Sequence, residues 1–106
     1  MPSTKSPTET KRASLPRSSD FTKEFLKDWE RLNRSGRFNM RRLKSAMLLL
    51  LANDQPLSPE WLDHALKGDW ADHRECHIGG DFLLIYQLQN NCIIFTRAGT
   101  HPDLFN

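Results

Sequence analysis

The sequence has little of what would commit a chain to a special environment. Two cysteines, Cys76 and Cys92, are too few to staple a small domain, and free thiols suit a reducing compartment. Long hydrophobic runs are missing: the longest, Ala46 to Ala52, falls far short of the roughly 20 residues that span a bilayer. The opening MPSTKSPTETKRAS carries basic residues but none of the apolar segment that a secretory signal requires. No internal repeat is visible. A disulfide scaffold, a membrane protein and a repeat array are thereby disfavoured, and the expected setting is the cytoplasm, with no membrane partner.

What is present fits one small globular domain. The chain has 106 residues, 38% of them hydrophobic and 26% charged, enough to bury a single core. Its net charge is only +2, but the charge is unevenly placed. Residues 1 to 53 hold twelve Lys or Arg against five Asp or Glu, whereas residues 54 to 106 hold three against eight. A basic half attracts polyanions, because phosphates draw Lys and Arg largely regardless of sequence; a solvated helical surface would read the same way.

Residues 1 to 11, rich in Ser, Thr, Pro and Lys without apolar periodicity, read as a flexible tail before a single domain over 12 to 106. An edge strand is expected between Lys11 and Arg17, limited to the edge by Pro16. Asp20 is placed to cap a helix whose stripe is Phe21, Phe25, Trp29 and Leu32, and Gly36 to stop it. Asn39 caps a second helix, with Phe38 and Leu43 as a hydrophobic staple. Met40, Leu43, Met47 and Leu50 turn inward there, Arg41, Arg42 and Lys44 outward, and Asp54 and Pro56 end it. Ser58-Pro59-Glu60 opens one further helical turn. Four strands follow, His64 to Lys67, Ala71 to Ile78, Asp81 to Gln89 and Cys92 to Ala98, parted by Gly68, Gly79-Gly80 and Asn90-Asn91. Helices first and strands afterwards make an α+β domain with helices on one sheet face. Trp61, Trp70, Phe82, Tyr86 and Phe95 are expected to pack in the core or at its edge.

Strand alternation decides which polar groups can meet. His73, Glu75 and His77 share one face, Arg74, Cys76 and Ile78 the other. The cluster His73-x-x-Cys76-His77 therefore fails as a zinc site, since Cys76 points away and nothing completes a tetrahedral set; no metal and no cofactor is expected. Acid–base chemistry fits better, because imidazole exchanges protons near neutrality and carboxylates can orient it or act as base. The candidates are His64, Glu75, His77, Asp81 and His101, with Arg74 and Arg97 as anion clamps. Each alone reads equally as a surface or packing residue.

Several motifs in register resemble the YafQ branch of the RelE-type bacterial toxins. They are His64-Ala65-Leu66-Lys67-Gly68-Asp69-Trp70, Arg74-Glu75-Cys76-His77, Asp81-Phe82-Leu83-Leu84-Ile85-Tyr86, and Arg97-Ala98-Gly99-Thr100-His101 followed by Asp103-Leu104-Phe105. The likeness is strong from Lys44 onward and rests on helical pattern before it. It implies a β-α-α-β-β-β-β domain of two helices on a small antiparallel sheet. It also implies a metal-independent endoribonuclease that cuts messenger in the ribosomal A site, using the message's own 2′-hydroxyl, and that a cognate antitoxin neutralises. By resemblance the catalytic positions are His64, His77, Asp81, His101 and Phe105. Asp81 or His77 would be the base, His101 the acid, His64 a phosphate or leaving-group contact, and Phe105 a stacking platform. Arg74, Glu75 and Arg97 would contact RNA, Glu75 standing where relatives carry Asp and His73 where they carry Tyr. Lys23, Lys27, Arg31 and Arg34 of the first helix and Arg41, Arg42 and Lys44 of the second would face ribosomal RNA. Operator DNA would be met only through the antitoxin, and the free toxin would be a monomer. The alternative is a catalytically weak homologue acting as an antitoxin-binding co-repressor.

Overall fold

The computed structural model describes residues 16–105; the expected tail and most of the Lys11 to Arg17 window lie outside them. The chain runs β1 (Ser18–Phe21), α1 (Lys23–Ser35), α2 (Met40–Ala52), a 3-10 turn (Pro59–Trp61), β2 (His64–Ala65), a second 3-10 turn (Gly68–Trp70), β3 (Arg74–Gly79), β4 (Phe82–Gln89), β5 (Cys92–Thr100) and α3 (His101–Phe105). The strands form one five-stranded sheet in the order β1-β5-β4-β3-β2. Among the described residues only the β1–β5 pair is parallel. This is the expected α+β architecture, with a short C-terminal helix added.

Local chemistry explains most boundaries, and several expectations need correcting. A strand is present at Ser18–Phe21, after the expected window, and the cap of α1 is Thr22, not Asp20. Phe21 pairs in register with Phe95, which keeps the chain extended past Asp20. Thr22 Oγ1 then accepts the Phe25 N–H at 3.0 Å while donating to the Thr96 carbonyl at 2.7 Å, tying the helix start to β5. Gly36 closes α1 in the left-handed conformation at φ 71°, as a helix-stopping glycine does. Asn39 caps α2 through a bond from the Arg42 N–H, worth about 1 kcal/mol. Asn53, ahead of Asp54 and Pro56, closes that helix. Asn90 and Asn91 both adopt positive φ, the requirement of a two-residue hairpin turn, so β4 folds directly onto β5. The expected strands around Lys67 and Ala71 are cut short because Gly68–Trp70 forms a 3-10 turn instead.

The core lies between the two long helices and one sheet face. Phe25 and Leu32 from α1, Leu43, Ala46 and Leu50 from α2, and Cys76, Ile78, Leu84, Tyr86, Ile93 and Phe95 from the sheet are buried together with Trp61 and Phe82. Phe21, expected on the α1 stripe, sits on β1 and stacks against Phe25 and Phe95 at 5.7 and 5.6 Å. The other face carries a second, smaller cluster of Leu83, Ile85 and Leu104, flanked by Leu66, Trp70 and Phe105. That cluster seats α3 on the sheet.

Candidate active site

The polar candidates assemble on the sheet face away from α1 and α2. Residues paired across an antiparallel sheet point the same way. His64 pairs with Glu75, Glu75 with Ile85, His77 with Leu83, and Leu83 with Gly99. His64, Glu75 and His77 therefore flank the small Leu83–Ile85–Leu104 cluster on one side, and α3 lies on the other.

Glu75 is the centre of the first group. It is only 3% exposed, yet Oε2 stands 3.4 Å from His64 Nε2 and 3.5 Å from His77 Nε2. Its Oε1 has no hydrogen-bond partner among the described residues. Burying a carboxylate with so few hydrogen bonds is costly unless nearby charge offsets it. His64 Nδ1 lies 2.8 Å from the Leu62 carbonyl. A carbonyl only accepts, so that nitrogen is the donor, and Nε2 facing Glu75 is either bare or the second donor of an imidazolium. The group thus gathers two imidazole nitrogens around one carboxylate oxygen.

The second group is Asp81, His101 and Phe105. Asp81 Oδ1 accepts the His101 backbone N–H at 3.2 Å and lies 3.8 Å from His101 Nδ1. The second separation is too long for a hydrogen bond. The His101 and Phe105 rings lie 4.9 Å apart, and Trp70 meets Phe105 edge-on at 6.2 Å. Both rings of α3 are thereby oriented. His77, Leu83 and Gly99 stand in one row, so Gly99, two residues before His101, is two strand spacings from His77, about 10 Å of sheet.

The remaining candidates are placed differently. His73 precedes β3, with its ring edge-on to Trp70 at 5.2 Å and its Nδ1 near the Ala71 carbonyl. Arg74 turns to Asp63, which also accepts the Tyr86 hydroxyl at 2.8 Å. Arg97 is held by Asp28, with Nε donating to Oδ2 at 2.7 Å and a second nitrogen to Oδ1 at 3.2 Å. Of the basic helix residues, Arg42 is not turned outward: it bonds the Ile78 carbonyl and stacks over Trp61 at 4.1 Å. Arg31 bridges Asp28 and Asp103. Lys23, Lys27, Arg34, Arg41 and Lys44 are exposed. Asp28 escaped the sequence reading, although an acid three residues after Phe25 and four before Leu32 on a buried stripe was the available signal.

Among the described residues, one group suits a cation. The ligand atoms of His64, Glu75 and His77 all lie within 4.8 Å of one another. Two imidazoles and a carboxylate are a usual donor set for zinc and related divalent ions. Cys76, buried on the helix-covered face, takes no part. His64 enters from β2, which is why alternation along β3 alone did not bring the set together.

Residues 17–106 match the family model described as the bacterial toxin of the type II toxin–antitoxin system, YafQ. This chain belongs to that family. The mRNA interferase toxin YafQ of Escherichia coli K12 is 35% identical over 91 residues, covering 86% of this chain and 98% of the relative. The crystal structure of YafQ from E. coli BL21(DE3) superposes with a TM-score of 0.78 at 34% identity, covering 85% of this chain and 99% of that one. An E. coli DinJ–YafQ complex matches with a TM-score of 0.76 at 36% identity, over 85% of this chain and 99% of the other. A metal-bound toxin from Helicobacter pylori matches at 0.75 with 38% identity, over 84% and 99%. The family fold is therefore the one described above, and the two polar groups lie in the part of the chain that the family model covers.

Proposed function

We propose that the protein is a ribosome-dependent messenger endoribonuclease, a type II toxin held in check by a cognate antitoxin. The observation that carries this reading is the pairing of two acid–base groups, His64–Glu75–His77 and Asp81–His101, on one exposed sheet face. His77, oriented by Glu75, takes the proton of a messenger 2′-hydroxyl, whose oxygen attacks the adjacent phosphorus. The bond from phosphorus to the 5′ oxygen breaks, and His101 supplies the proton that the leaving oxygen requires. The products are a cyclic phosphate and a 5′-hydroxyl. Asp81 bonds the His101 backbone and faces its Nδ1, which leaves Nε2 to reach the substrate and favours Asp81 as an orienting group over Asp81 as base. His64 steadies the phosphate, and Phe105 offers a face for a base. Each proton transfer is worth about 10² to 10⁴ in rate.

A divalent ion on His64, Glu75 and His77 would act as a Lewis acid toward the phosphate. The acid–base reading expects 1,10-phenanthroline to leave cleavage on programmed ribosomes unchanged. Loss of cleavage, restored by a divalent ion, would replace it.

The partner reading rests on an exposed apolar face. Leu26 and Phe21 are exposed beside Trp29 and Met47, Leu48 is exposed beside Phe21 and Met47, and the exposed Lys27 and Lys44 lie on the same two helices. Such a face fits an acidic amphipathic antitoxin segment, and a DinJ–YafQ complex is known for a relative. The deciding experiment is growth arrest on induction, with mapping of cut sites on translated message, for the parent, His77→Ala and His101→Ala. Loss of arrest and of cuts in both variants is expected. Undiminished arrest would leave the antitoxin-binding co-repressor as the better reading.

A further inference from the structure

We infer that Arg31 is a positioning residue for His101, coupling the first helix to the catalytic C-terminal helix. The inference rests on the acid–base reading for its functional consequence, but the coupling itself stands on geometry.

A five-residue helix is far below the length at which helices hold themselves together, so α3 depends on tertiary anchors. Its own cap is reciprocal: the Asp103 N–H donates to Thr100 Oγ1 at 3.3 Å and the Thr100 N–H to Asp103 Oδ2 at 3.1 Å. That same Oδ2 accepts from Arg31 Nη1 at 3.3 Å. The other Arg31 terminal nitrogen, Nη2, donates to Asp28 Oδ1 at 3.2 Å. Asp28 is 4% exposed and anchored by Arg97 and by the Ala98 N–H, which Oδ2 accepts at 3.0 Å. β1 ends opposite Phe95, so Ala98 lies beyond its reach and the Asp28 carboxylate takes that bond on β5 instead. A continuous set of bonds thus runs from the buried α1 carboxylate through one guanidinium to the residue that caps the helix bearing His101.

Gly99 is where this arrangement is tightest. A Cβ added there would meet Asp103 Oδ2 at 3.1 Å, Asp103 Cβ at 3.2 Å and Arg31 Nη2 at 3.4 Å. Its missing side chain is what lets the guanidinium and carboxylate close over β5. Planar Arg can bridge two carboxylates with separate nitrogens, whereas Lys offers one point charge. Arg31 and Asp103 are both partly exposed, so their contact adds little to global stability, and its removal is felt locally in α3.

The test uses the full chain and the Arg31→Gln, Arg31→Lys, Asp103→Asn and doubly substituted Arg31→Gln/Asp103→Asn forms. Cleavage on programmed ribosomes is measured against ribosome concentration, and amide exchange is followed over residues 100 to 105. Positioning predicts a maximal rate lower by about 10- to 100-fold in Arg31→Gln, the scale of a small catalytic misplacement, with the half-saturating ribosome concentration unchanged. Arg31→Lys restores only part of the rate, the double variant is no worse than Arg31→Gln, and α3 amides exchange faster in each variant. A raised half-saturation with intact maximal rate would make Arg31 a ribosome contact and overturn the inference. So would unchanged α3 exchange in Arg31→Gln, whatever the activity. If the parent does not cleave, or His101→Ala cleaves like the parent, the acid–base reading falls, while the exchange data still decide whether Arg31 holds α3.

Discussion

Glu75 illustrates how much one buried carboxylate can decide. Replacing it by Gln keeps the volume but removes the charge between His64 and His77, and cleavage is expected to fall by about 10²-fold, the lower end for a disrupted proton transfer. A single-turnover assay on programmed ribosomes checks this, with the melting temperature near that of the parent. Asp28→Ala behaves oppositely. It strips a partly buried Arg97 and the buried Ala98 N–H of their partner and should cost about 1 to 3 kcal/mol, read from urea unfolding. The cysteines separate in the same way: burial, assisted by the Asp63 and Glu75 charges, pushes the Cys76 thiol up to about 12. Native protein at pH 8 should therefore lose one thiol to iodoacetamide, at the partly exposed Cys92, and the second only in denaturant. Such differences were invisible along the chain, because they arise from which side chains surround each group.

At the scale of elements, α3 is the piece whose existence depends most on its surroundings. The Thr100 bonds, and the nearby Arg31 guanidinium, hold the Asp103 carboxyl below its ordinary value of 3.8. A carboxyl lowered on folding stabilises the fold above that ordinary value and loses the effect as pH falls through the lowered one. Asp103→Asn should therefore be less stable than the parent at pH 6, and the gap should narrow toward pH 3 in denaturant titrations. Gly99→Ala should loosen the same helix by crowding Asp103, at a cost of about 1 to 3 kcal/mol. The long helices were legible beforehand through their apolar stripes, Gly36 and Asn39. The N-terminal boundary of α1 was not, since Asp20 and Thr22 are both competent caps and only the pairing of Phe21 with Phe95 chooses between them.

For the whole molecule, the uneven charge becomes a surface in which some cations are already engaged. Arg31, Arg42 and Arg97 have partners within the fold, whereas Arg41 and Lys44 remain exposed on α2. Replacing Arg41 and Lys44 by Gln should weaken ribosome binding and reduce its salt slope by roughly 0.7 to 0.9 for each phosphate no longer neutralised. Co-sedimentation at several salt concentrations measures it, and an unchanged slope would remove α2 from the interface. Leu48→Asp, at a site 66% exposed, should abolish rescue by the antitoxin while growth arrest persists.

Local rules were enough for the helices, the hairpin at Asn90-Asn91, the α+β class and the face shared by Glu75 and His77, because each depends on periodicity or turn chemistry within a few residues. Three things waited for the tertiary structure: His64 joining Glu75 from the neighbouring strand, Asp28 taking hold of Arg97, and Arg31 reaching Asp103 across 72 positions. The reason is physical. A side chain's partners across a sheet or between a helix and a strand edge are set by register and packing, and a one-residue slip would have turned the same residues toward other neighbours.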